Sequence, residues 1–354
     1  MSVSDTAGDG PPRRSIRQAI DRFIKRRKTE MTDRTIRSDA SRLADFADWC
    51  ADRDVTMMDE LSPWLLDEYD LELRDRDLAA ITIKSKLTTI RVFLKYCART
   101  DLVEDDLPDS IDVPTLEAAE ESSDERLEAE DAQASLSFFR DSKAYFGVPM
   151  HAFLELAWHT GARIGSIRGL DLGDYDADEQ FVHFRHRPSE GTPLKNKHEG
   201  ERLVGLTDAV CAALDTYIAR ERSDKRDEKG RAPLFCGRQG RPSFSTFRYW
   251  SYQATQPCLW TECPHGRRRA TCEYTERNHA SKCPSSRSPH RIRTGSITWQ
   301  LNRGLDIETV ATRVNANADT IRRYYDAATQ TEEFEERRRD VEARLDISNS
   351  EDKL

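Results

Sequence analysis

The sequence predicts a mainly α-helical protein of two domains, with one small β-hairpin or three-stranded sheet inside the second. Three observations carry this reading. Apolar residues recur along most of the 354-residue chain at the i, i+3, i+4, i+7 spacing that gathers them on one helix face. Strand-like stretches are confined to 181–185 and 201–206. Pro108, Pro114 and the acidic run 117–131 interrupt the helical pattern, and a chain of this length exceeds what one ordinary core holds.

Residues 1–12 are polar and rich in Gly, Asp and Pro, and read as a disordered tail. Ser15 is placed to cap a helix carrying Ile16, Ile20, Phe23 and Ile24 on one face. A second helix carries Leu43, Phe46, Ala47 and Cys50, a third lies near 61–71, and a fourth carries Leu87, Ile90, Leu94 and Cys97. Together 13–112 make a small all-α domain with Arg and Lys on its outer faces, and 113–130 an acidic linker. The second domain, 131–345, includes a helix with Met150, Phe153, Leu154 and Ala157 that ends at Thr160-Gly161, where Gly161 suits a left-handed C-terminal position. Arg163 opens the next helix. The stretches 181–185 and 201–206 flank a loop bearing Lys195 and Lys197. Helices resume at 208–220, 245–253, 293–302, 307–314 and 320–328, and a charged amphipathic helix at 332–345 precedes the tail 346–354.

Composition sets bounds on function. No apolar stretch approaches the roughly 20 residues that a membrane span needs, and the N-terminus lacks the apolar segment of a secretory signal. A soluble, cytoplasmic protein with no membrane contact is expected. A net charge of −9 and a pI near 5.5 argue by themselves against nucleic acid, whose phosphates are bound by Lys and Arg. Distribution outweighs the sum: Arg outnumbers Lys several-fold and Asp is abundant, a haloarchaeal-like bias suited to high salt, in which acidic residues coat the solvent faces and arginines gather where a polyanion would lie.

Of the eight cysteines, Cys50, Cys97, Cys211 and Cys236 are scattered in apolar contexts and read as small buried hydrophobes. Cys258, Cys263, Cys272 and Cys283 fall within 26 residues of a loop-rich insertion, 257–284, that has few apolar side chains. Four soft ligands, with His265 and His279 as alternates, point to a tetrahedral structural zinc that supplies the segment's folding energy. Such a knuckle would project Arg267, Arg268 and Arg269 onto nucleic acid.

The chemistry-bearing residues lie in the second domain. Two arginines, Arg163 in His159-Thr160-Gly161-Ala162-Arg163 and Arg293 in Pro289-His290-Arg291-Ile292-Arg293, can clamp a phosphate, because a planar guanidinium donates bidentately and stays charged. His290 shares a helical face with Arg293 at i, i+3 and can donate to the phosphate or accept a proton. Tyr324 and Tyr325 come later, on another helix. Lys195 or Lys197 can protonate a leaving oxygen, and Lys197 can equally make a plain phosphate contact. This set suits phosphodiester transesterification through a phosphotyrosine link.

On these motifs the chain resembles the tyrosine recombinase, or phage integrase, family, and in particular its archaeal members with a Xer-like two-domain layout. Thr160-Gly161-Ala162-Arg163 matches the first arginine box, His290-Arg291-Ile292-Arg293 the His-x-x-Arg box, and Leu194-Lys195-Asn196-Lys197 to Arg202-Leu203-Val204 the lysine-bearing hairpin. The resemblance implies a SAM-like helical core-binding domain, then the catalytic domain. It also implies Tyr325 as nucleophile, with Tyr324 the alternative, and Lys195 as the general acid in preference to Lys197. Three positions depart from the pattern: Asn315 falls on a glycine, Ala316 on a second His or Trp, and Ser166 on a glutamate that supports the first arginine.

By the same resemblance, the chain is expected to be a site-specific DNA recombinase that cuts and rejoins double-stranded DNA through a 3′-phosphotyrosyl intermediate, in integration, excision or resolution of a DNA element. Catalysis needs no cofactor, and zinc is only structural. The active assembly is a homotetramer on two DNA sites, with 332–345 docked on a neighbour. Two alternatives stand beside it: a catalytically impaired DNA-binding regulator on the same scaffold, and a type IB topoisomerase-like strand transferase.

Overall fold

The computed structural model describes residues 13–31, 33–116 and 125–324. The predicted tails 1–12 and 346–354, the helix 332–345, Tyr325 and the acidic stretch 117–124 lie outside the described residues. The chain divides into two compact units between Ser123 and Asp124. It is mainly helical, with a three-stranded antiparallel sheet in the second unit. No helix among the described residues is long and apolar enough to cross a membrane.

The first unit is built on α1 (Ile16–Arg27), α2 (Asp33–Ala51), α3 (Pro63–Asp75) and α4 (Ala80–Ala98). Ser15 forms a reciprocal capping box with Gln18, each side chain bonding the other's backbone N–H at 3.2 Å. Ser62 caps α3 and Pro63 takes its first turn, where the missing N–H would have had no partner. Phe23, Leu43, Phe46, Tyr69, Ile90 and Phe93 are almost fully buried, and Phe23 meets Phe93 and Phe46 meets Tyr69 edge to face at 5.5 and 5.1 Å. Cys50 and Cys97 sit inside this core, where burial pushes both thiols up to about 12.

The second unit begins with α5 (Ala129–Asp141), α6 (Pro149–Thr160) and α7 (Ile164–Gly169). Helix α6 is buried on nearly all sides, its Glu155 included, which is paired with Arg140 at 2.6 Å and His151 at 3.2 Å. Strands β1 (Tyr175–Asp176), β2 (Phe181–Phe184) and β3 (Arg202–Gly205) pair in that order, with Val182 opposite Val204 and Phe184 opposite Arg202. Then come α8 (Asp208–Arg220), α9 (Phe244–Ala254), α10 (Pro289–Asn302), α11 (Ile307–Val314) and α12 (Ala318–Tyr324). Helices α8, α9 and α10 pack around α6. The connection from α8 to α9 is tied down by Arg241, which reaches Asp171 at 2.5 Å and Asp227 at 2.8 Å, and by Arg231, which reaches Asp171 at 2.7 Å.

Helix α10 starts four residues before the predicted 293. Ser288 caps it and Pro289 occupies its first turn, so His290 belongs to the helix and lies one turn from Arg293.

Candidate active site

The site is organised by the C-terminal turn of α11. The last carbonyls of a helix lack intrahelical partners and carry the negative end of its dipole. Here Asn315 takes a left-handed conformation, φ 55° and ψ 64°, and three successive carbonyls each accept from a different arginine. Arg202 Nε donates to Arg313 O at 2.7 Å, Arg293 Nη1 to Val314 O at 2.7 Å, and Arg163 Nη1 to Asn315 O. Arg293 also donates to Gly161 O at 2.6 Å and is only 2% exposed. Gly161 has φ +58°, and a Cβ there would lie 2.8 Å from Val314 Cγ1. The helix end that positions Arg163 and the helix end that holds it are therefore in contact.

His290 and Lys195 join the two arginines. The His290 imidazole is held below its ordinary value by burial and then by the charges of Arg293, Arg163 and Lys195. The cationic part of this depression is the part a bound anion would reverse. The Lys195 ammonium is held below its ordinary value chiefly by Arg163, then by burial and Arg293. Lys197 is exposed, sits at φ 52°, and acts instead on His186. Arg163, Arg293, His290 and Lys195 are thus brought together, and of the two lysines it is Lys195 that feels the arginines.

Arg202 had no role assigned from sequence. Burial, then Arg293, Arg163 and Arg313, push its guanidinium down to about 9, which leaves it charged at neutral pH. It lies 4.3 Å over the Phe184 ring and also donates to Gly200 O at 3.0 Å. Its only local signal is strand alternation: it faces inward on β3, opposite Phe184. Asn196, the other residue missed, donates through Nδ2 to Asn315 Oδ1 at 2.7 Å.

Ala316, at the position of the second His or Trp, packs against the small cluster of Ile297, Leu301, Val310 and Ile321. Neither neighbouring asparagine is turned to replace it: Asn315 faces Asn196, and Asn317 accepts from Asp319 N at 2.8 Å at the start of α12. Of the two tyrosines, Tyr324 ends α12 and Tyr325 lies outside the described residues.

In the cysteine insertion, among the described residues, no group of three or more His, Cys, Asp or Glu side chains is placed to hold a metal. His265 is bonded to Ser285 at 2.9 Å, and His279 faces Glu273 at 3.5 Å. Hydrogen bonds hold the segment. Arg269 donates to Gln256 and Gln253 at 2.8 and 3.1 Å and to Cys258 Sγ at 3.1 Å. The two glutamine amides in turn bond the carbonyls of Tyr274 and Thr275. Arg269 is therefore turned into the protein rather than toward a ligand. Arg267 pairs with Glu273 at 3.0 Å and lies over Tyr274, and Arg268 is exposed.

Comparison with known proteins bears on the family and the fold. Tyrosine recombinase XerC of Chlamydia caviae is 25% identical over 244 residues, 68% of this chain and 66% of that protein. Tyrosine recombinase XerD of Halalkalibacterium halodurans is 24% identical over 174 residues, 49% of this chain and 54% of its own length. XerD of Pseudomonas aeruginosa is 25% identical over 293 residues, covering 82% and 86%. The chain thus spans less than two thirds of the first two relatives. Among solved structures, the Tn1549 transposon integrase in complex with a circular intermediate DNA superimposes with a TM-score of 0.63 at 16% identity, covering 93% of this chain and 99% of that one. A lambda integrase dimer bound to a core site gives 0.58 at 12% identity, covering 87% and 76%. At these identities the likeness is one of fold. The model of the phage integrase family matches residues 125–331, more than half of the chain, and this protein accordingly belongs to the phage integrase family of tyrosine recombinases.

Proposed function

We propose that this protein is a site-specific DNA recombinase that cuts and rejoins double-stranded DNA through a 3′-phosphotyrosyl intermediate. The observation that carries the reading is the convergence of Arg163, Arg293, Lys195 and His290, in which, among the described residues, the charges that act on Lys195 and His290 are positive. A phosphoryl group passing through a pentacoordinate transition state gains charge on its nonbridging oxygens, and fixed guanidiniums stabilise that charge more than the ground state.

In this scheme Tyr325 attacks the scissile phosphate and His290 accepts its proton. Arg163 and Arg293 donate to the nonbridging oxygens, and Lys195 protonates the departing 5′ oxygen. A lysine whose affinity for its proton is weakened by Arg163 is a better acid than one in water. The phosphotyrosine bond conserves the energy of the bond it replaces, so neither ATP nor a catalytic metal enters the scheme.

The first unit is assigned to DNA binding as a core-binding domain over 13–112, and the second, over 131–345, to catalysis. In the first unit a recess of about 300 Å³ between α1, α2 and α4 is lined by Arg27, Arg42, Lys84 and Thr88 beside Phe23 and Ile81, with Asp39 paired to Arg27 at 3.2 Å and to Arg42 at 3.8 Å. Lys197 and Arg268 are the remaining contacts proposed for DNA. The Tn1549 integrase is in complex with a circular intermediate DNA and the lambda integrase dimer is bound to a core site, which supports a duplex partner here. A homotetramer on two sites, with 332–345 docked on a neighbour, is the proposed assembly, and the cytoplasm the proposed location.

Trapping on nicked suicide DNA carrying candidate sites tests the reading on a denaturing gel. A covalent band from wild type and Tyr324→Phe, absent from Tyr325→Phe, is expected. Tight DNA binding with no band from any version would refute strand exchange. It would favour the regulator reading, for which the apolar packing of Ala316 is the supporting observation.

A further inference from the structure

Asn315 makes two contacts at once, and only one of them would survive with the glycine that the family pattern places there. Its main-chain oxygen accepts from Arg163, which any residue in the left-handed conformation could do. Its side-chain Oδ1 accepts from Asn196 Nδ2 at 2.7 Å, and Asn196 is the residue next to Lys195. The amide is 7% exposed and lies under Gly200, where a Cβ would come within 2.4 Å of Asn315 Nδ2. Glycine at 200 is what permits this approach. The loop that carries Lys195 is therefore fastened to the end of α11 twice, by Asn196 on Asn315 and by Arg202 on Arg313 O.

We propose that Asn315 is a positioning residue that sets the Lys195 ammonium relative to the Arg163 guanidinium and so governs proton delivery to the leaving oxygen. The proposal rests on the recombinase reading above. In the step concerned, the bond from Tyr325 Oη to phosphorus forms and the bond from phosphorus to O5′ breaks. The tyrosine proton passes to His290, and O5′ takes a proton from Lys195 Nζ. One residue serves both ends of this event: its backbone seats the arginine that stabilises charge on phosphorus, and its amide anchors the loop that supplies the proton. Acidity and placement of Lys195 are then linked, since Arg163 is also the first cause of its weakened hold on its proton.

A substrate whose bridging 5′ oxygen is replaced by sulfur separates this role from a structural one, because a thiolate leaves without needing a proton. Asn315→Gly keeps the left-handed backbone and loses only the side-chain bond. With Asn315→Gly, cleavage of all-oxygen suicide DNA is expected to slow by about 10- to 100-fold, the scale of a misplaced catalytic group. Cleavage of the sulfur substrate is expected to stay within about twofold of wild type, as for Lys195→Ala. Asn196→Ala should behave the same way, and the double variant should lose no more than either single one. An equal loss on both substrates, or no loss on the oxygen substrate, overturns the proposal. Wild type that cleaves neither substrate overturns the recombinase reading, and this proposal with it.

Discussion

Replacing Gly161 by alanine probes the contact that joins the first arginine box to α11. Two effects add. Residue 161 sits at φ +58°, and an L-residue held in the left-handed region is destabilised by about 1 kcal/mol. The new Cβ also lies 2.8 Å from Val314 Cγ1 and 3.2 Å from Ser296 Oγ, and forcing a methyl into packed surroundings costs about 1–3 kcal/mol more. Gly191→Ala is the internal control. It has φ +76° but nothing within 4 Å of a Cβ, so it carries the backbone effect alone, about 1 kcal/mol. Urea unfolding should therefore place Gly161→Ala about 2–4 kcal/mol below wild type and Gly191→Ala about 1 kcal/mol below, with similar m-values. Relief of the clash must move Val314, whose carbonyl holds Arg293, so covalent trapping should also slow by about 100-fold for a displacement near 1 Å. Equal destabilisation by the two variants, or normal trapping by Gly161→Ala, would refute the reasoning.

Two further predictions concern charge and the insertion. His290 is held below its ordinary 6.5 partly by Arg293, Arg163 and Lys195, and a bound phosphate opposes those cations, so DNA binding near pH 6 should take up protons. Calorimetry in buffers of different ionisation enthalpy should detect the uptake and find it reduced in His290→Gln. In the free protein the sign is opposite: a lowered folded value means stability is lost as pH falls below 6.5 and through that value. Arg269→Ala removes the bonds to Gln253, Gln256 and Cys258, and a loss of about 1–3 kcal/mol is expected, read as a lower Tm. A drop in Tm on treatment with a strong chelator would support a structural zinc on the cysteines, and an unchanged Tm would leave these hydrogen bonds as what holds the segment.

Much of the fold was legible because its signals are local. Ser15 marks the start of α1 through bonds that reach three residues at most, and the strand-like stretch at 181–185 coincides with β2. Reading Pro289 as loop put the start of α10 too late, although proline suits a first turn. Arg163, Arg293, His290 and Lys195 were singled out because each lies in a short motif with recognisable neighbours. Arg202 and Asn196 were not, since their partners on α11 are 111 and 119 residues away and nothing in their own segments announces that contact. The cysteine cluster is a separate case: close spacing in sequence implied convergence, and among the described residues Cys258 accepts from Arg269 while Cys283 is buried.

The seating of three arginines on main-chain carbonyls has a consequence for behaviour in salt. A main-chain carbonyl, unlike a carboxylate, fixes the position of a guanidinium without itself adding a neutralising charge. In a protein of net charge −9, long-range attraction for DNA is weak at the outset, and near 1 M salt the screening length shrinks to about 3 Å. Pinned guanidiniums, with Arg293 almost fully buried, meet a phosphate at contact distance, inside that length. Rising salt should then slow encounter with DNA far more than it weakens the grip on a phosphate already in the site.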